Sequence, residues 1–82
     1  MTEADKIFKE LGYKKRETDF SICYGKEYET HTAYIEFNKE LKRIATTILE
    51  KEPKGNGIWQ DFNAEKIKAI YLKCEEMGWL ND

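Results

Sequence analysis

Residues 20–50 read FSICYGKEYETHTAYIEFNKELKRIATTILE, and the period of their apolar positions decides the fold. Phe20, Ile22 and Tyr24 alternate with Ser21 and Cys23, while Ala33, Ile35 and Phe37 alternate with Tyr34 and Glu36. A period of two sends successive side chains to opposite sides of an extended chain, so each run predicts a strand with one buried face. The run RIATTILE is rich in β-branched residues, with Ile44 and Ile48 on one side and Ala45, Thr47 and Leu49 on the other. It reads as a further strand, partly covered on both faces. Gly25, inside the first run, reads as the mark of a bulge. The connectors ETH and NKEL are short enough for antiparallel hairpins. Upstream, YKKRE supplies a short edge strand whose lysines discourage pairing with other molecules.

Outward from this meander the period changes to that of a helix. Ala4, Ile7, Phe8 and Leu11 are spaced i, i+3, i+4, i+7, with Thr2 as N-cap and Asp5 favouring the positive end of the helix dipole. At the other end Ala64, Ile67, Ile70, Tyr71, Cys74 and Met77 form a second stripe, with Asn63 as N-cap and Phe62 and Ile67 as a hydrophobic staple. KELGY and CEEMGW, which look like one phrase written twice, are then two helix ends. Gly12 and Gly78 take the left-handed conformation, Tyr13 folds back over Phe8, and Trp79 covers Cys74. The predicted class is α+β: an N-terminal helix, an antiparallel meander of three or four strands, and a C-terminal helix, forming one domain over residues 1–82. Both helices pack on the sheet face lined by Ile22, Ile35 and Ile48.

Composition narrows the function classes. With 82 residues, 40% hydrophobic and 13% aromatic, the chain suits one small core. Lys+Arg of 14 against Asp+Glu of 16 gives a net charge of −2, so no global field draws the protein to nucleic acid or an anionic membrane. The start MTEADKIFKE lacks the apolar run of a signal peptide, and no stretch approaches the roughly 18 apolar residues of a membrane span. A cytoplasmic protein is expected.

Catalytic chemistry finds few carriers. His31 is the single histidine; it falls at a predicted turn beside Glu29 and Thr30, without a nucleophile to serve, and reads as a solvated turn residue. Neither a metal site nor a cofactor is indicated. Cys23 and Cys74 read as small buried hydrophobes, and a disulfide is disfavoured because Cys23 falls on the strand face away from the core. PKGNG lacks the GK[ST] ending of a phosphate loop and reads as a turn. YKKRE with Lys42 and Arg43 offers a local basic patch, and Tyr34 can stack a base, but Glu27, Glu29 and Glu36 share that region.

An amphipathic start ending in LGY, a charged meander, a proline-containing loop and a last helix closing as KCEEMGW resemble the small uncharacterised open reading frames of phages and prophages of Gram-positive bacteria. The resemblance implies expression in a bacterial host cytoplasm and brings no functional residues with it. The expected function is a non-enzymatic accessory or interaction module that binds another protein or itself. The alternative is a nucleic-acid-binding accessory protein using the open sheet face. The candidate interaction residues are Tyr34 and Leu49, on the sheet face opposite the helices, and Trp59 in the loop over 52–62. Trp59 reads either as an anchor at the core edge or as an exposed hot spot.

Overall fold

A computed structural model describes residues 2–51 and 60–80. The order is α1 (Glu3–Glu10), β1 (Lys14–Glu17), β2 (Ser21–Glu27), β3 (His31–Asn38), β4 (Arg43–Glu50) and α2 (Ala64–Glu76). The strands form one four-stranded sheet in the order β1-β2-β3-β4, every neighbour antiparallel, so the expected meander is present with its fourth strand.

Local chemistry sets the boundaries. Thr2 Oγ1 accepts the Asp5 N–H at 3.2 Å, and Asn63 Oδ1 accepts the Lys66 N–H at 2.9 Å, satisfying donors that have no partner inside a helix. At the other ends Gly12 and Gly78 sit at φ +95° and +72°. The Tyr13 and Trp79 N–H groups return to the Phe8 and Cys74 carbonyls at 2.9 and 3.0 Å, the hydrogen-bond pattern of a Schellman end. Between strands, Thr18 Oγ1 accepts the Phe20 and Ser21 N–H groups, and Asn38 Oδ1 accepts those of Glu40 and Leu41, so the β1–β2 and β3–β4 turns are each held by a side chain. The β2–β3 turn is closed by the Tyr28 N–H on the His31 carbonyl at 2.7 Å.

Both helices lie on one sheet face. Phe8 of α1 and Ala69 and Cys74 of α2 share a buried cluster with Ile22, Tyr24, Ile35 and Phe37, which alternate on one side of β2 and β3. The Phe8 ring stacks on Tyr24 with centroids 4.0 Å apart, and Phe37 meets both rings edge-on at 6.3 and 5.8 Å. Such offset and edge contacts suit the charge distribution of aromatic rings and add to their burial. Tyr13 closes over Phe8 as expected, edge-on at 5.8 Å, while the Trp79 ring packs against the core 6.1 Å from Phe37.

Four expectations change. Ile67 and Tyr71 are exposed, and the buried side of α2 is carried by Lys66, Ala69, Lys73 and Cys74 with Ile70 and Met77 packed beside them. Ile67 is 56% exposed and Phe62 40%, and it is the Lys66 ammonium that lies over the Phe62 ring, 5.7 Å from its centre. Gly25 marks no bulge: β2 pairs with β1 and β3 without a skipped residue. Finally, β4 is covered on neither face, since only Ile48 is even half-buried, and Phe20 stands exposed just before β2.

Candidate interaction surface

Two groupings of polar and apolar side chains stand out, one inside the fold and one on its outside. The inner one centres on Asp5. Its carboxylate accepts from the Tyr24 hydroxyl, from Lys15 Nζ at 2.9 Å and from Lys73 Nζ at 3.2 Å, and Lys73 also lies 3.4 Å from Glu76. Burial pushes the Asp5 carboxyl up, but these hydrogen bonds and the Lys73 charge outweigh it and hold the group well below the usual carboxylate range. Tyr24 moves the other way: burial and the neighbouring Asp5 charge push its hydroxyl far above its ordinary value. The cluster joins α1, β1, β2 and α2 at one point. Its donors and acceptors are spent on one another, which ties the four elements together.

The outer grouping is the sheet face opposite the helices. Register places Lys14, Gly25, Tyr34 and Thr47 in one row across the strands, and Arg16, Cys23, Glu36 and Ala45 in the next. Thr32 and Leu49 stand opposite each other one row further on, beside Glu27. Tyr34 leans onto Gly25, where an added Cβ would come within 2.9 Å of the ring, so the glycine is a seat for the aromatic side chain. A shallow concavity of about 560 Å³ follows this face, with Lys14, Arg16, Cys23, Gly25, Thr32 and Tyr34 along it. The face is mixed in character, basic at β1, aromatic in the middle and apolar at Leu49, which is 61% exposed.

Tyr34 and Leu49 are thus brought to one surface, as the alternation predicts. Trp59, with the PKGNG turn, lies outside the described residues. His31 differs from its expectation. It begins β3, half-buried, with its ring stacked 4.6 Å from Tyr28 and Nδ1 3.0 Å from Thr30 Oγ1. Cys23 and Cys74 are free thiols on opposite sides of the sheet, both pushed up by burial. Asp5, Tyr24 and Lys73 are not brought together by the sequence reading, in which Asp5 is a helix-start residue, Tyr24 a strand residue and Lys73 has no assigned role. The available signal was Lys66 and Lys73 flanking Ala69 at helical spacing, adjoining the stripe of Ile70, Cys74 and Met77.

No helix among the described residues is long and apolar enough to cross a membrane. No family model, curated protein or solved structure matches the chain.

Proposed function

We propose that the protein is a small non-enzymatic interaction module that binds another protein or a second copy of itself through the side of its sheet that the helices leave open. The observation that carries this reading is the state of β4. It is a full-length strand of β-branched and apolar residues, on the edge of the sheet, with neither face covered. Exposed apolar strand surface of this kind is costly to leave in water and is a common basis for association. The mutual satisfaction of the Asp5 cluster supports the non-enzymatic part, since the buried titratable groups at that joint are occupied with holding it together. A setting as a phage or prophage accessory protein in a bacterial cytoplasm belongs to the same proposal and rests on the sequence resemblance.

The test is binding measured with and without the open side. Sedimentation of the purified chain and capture with the immobilised chain are compared for the wild type, Leu49→Arg and Tyr34→Glu. Association lost in either variant with the melting temperature kept supports the reading. A chain that stays monomeric and captures nothing sinks it. Binding to mixed DNA or RNA that collapses with added salt would transfer the surface to nucleic acid instead.

A further inference from the structure

The two edges of the sheet differ in kind. The β1 edge is KKRE, charged at every position, whereas β4 carries the uncharged run Ile44–Leu49 between Arg43 and Glu50. Natural sheets guard an edge with charge where pairing is to be avoided, and β4 lacks that guard.

The hydrogen-bond phase shows what the β4 edge offers. Lys51 N–H donates to the Thr30 carbonyl at 3.0 Å, continuing the β3–β4 register. In an antiparallel ladder alternate residues turn both backbone groups to the same neighbour. Thr47, Leu49 and Lys51 therefore bond to β3, and Ile44, Thr46, Ile48 and Glu50 aim their N–H and C=O groups away from it. Among the described residues no strand receives them.

Resting on the reading above for self-association, but placing the contact at the free edge of β4 rather than on the open face, we propose that two copies of the chain join β4 to β4, antiparallel, about a two-fold axis at Thr46. An edge-to-edge pair with this symmetry keeps both helix layers on the same side, so residues facing one side must oppose residues facing the same side, and only every second register is open. Side-chain matching and the length of overlap choose among these. With Thr46 on the axis, Ile44 meets Ile48 of its partner, Ala45 meets Thr47, and the stem of Arg43 lies along Leu49 at each end of the contact, with no like charges opposed. With Thr47 on the axis, Arg43 meets Lys51 and Ile44 meets Glu50, opposing like charges and setting an apolar side chain against a carboxylate, and with Ala45 on the axis the two strands overlap only over residues 43–47 and Ile48 is left without a partner. The favoured register also sets Ile44, 39% exposed in the single chain, beside Ile48 on the helix side, extending the apolar layer across the junction.

Two variants of the full chain test this. Thr46→Pro removes an N–H that makes no bond to β3, so the single-chain fold should keep its circular dichroism spectrum while dimerisation weakens by about tenfold or more, because the change strikes both copies at the axis. Thr46→Cys should oxidise to a disulfide linking position 46 to position 46, identified by peptide mapping, whereas Thr47→Cys should not link to itself. Sedimentation from micromolar to high micromolar concentration should show monomer passing to dimer and no further. A wild type that is monomeric throughout overturns the pairing. A dimer that withstands Thr46→Pro, or one that forms without the 46–46 link, overturns it too. If that surviving dimer is lost with Leu49→Arg, the contact lies on the open face, and the interaction reading stands while the β4 pairing falls. Should Thr46→Pro fail to fold, the cysteine pair decides alone.

Discussion

The Tyr34 ring lies on the backbone of Gly25, its directly paired neighbour across the β2–β3 ladder, with Cε1 2.9 Å from where a Cβ would be. Gly25→Ala therefore forces the ring to move. The expected cost is about 1–2 kcal/mol in urea or thermal unfolding, the range of mild overpacking. In a Tyr34→Ala background the same change should become neutral or stabilising, because alanine lowers the entropy of the unfolded strand and no ring is left to displace. A cost that is equal in both backgrounds would mean the ring does not occupy this seat.

Asp5→Asn removes the charge that faces Lys15 and the buried Lys73. Leaving a buried ammonium short of its partner should destabilise the fold by about 3 kcal/mol, moderated by Glu76. Combining it with Lys73→Met should return much of that loss, since a flexible apolar side chain can fill the space and no uncompensated charge remains. Unfolding curves of the two single variants and the double variant measure the coupling directly.

Acid should undo the same joint. The Asp5 carboxyl is held below its usual value in the folded chain. Its contribution to stability is therefore fully present above the unfolded value of about 3.9 and is lost as pH falls below it towards the folded value. The melting temperature of the wild type should drop over that acid range more steeply than that of Asp5→Asn; parallel curves would remove Asp5 as the cause.

The exposed side of α2 gives a fourth comparison. Tyr71→Ala should leave stability within about 0.5 kcal/mol, whereas Ile70→Ala, one residue away but packed on the core, should cost about 2 kcal/mol or more. The opposite ranking would restore the helix face expected from hydropathy.

Ellman's reagent on the native chain should find both thiols slow, with Cys23 reacting before Cys74, because Cys23 is half-buried on the open face and Cys74 sits inside the core. Equal and rapid reaction would show that the sheet does not shield them.

The strands and the helix ends were legible because their causes are local. A two-residue period in FSICY and AYIEF is fixed by the chain's own pleat, and a glycine followed by an aromatic residue closes α1 and α2 by bonds within a few residues. What escaped depends on partners distant in sequence. Lys73 is buried because Asp5, on the other helix, takes its charge, and hydropathy alone assigns a lysine to solvent. Gly25 looks like a bulge until the register sets Tyr34 against it. Tyr34 and Leu49 were placed on their common surface by alternation alone, but how bare β4 stays depends on where α2 lies, and Ile67 and Tyr71 misdirected that side of the helix.

The unequal rims of the sheet bear on the size of any assembly. A strand ladder whose two sides were both bare would behave as a monomer in the polymer sense, able to add units without end. Here the lysines and arginine of β1 act as a chain terminator built into every unit. In the proposed pair the β4 sides of both copies are used up and both remaining sides are β1, so the sheet would stop at a finite particle rather than grow into a fibre.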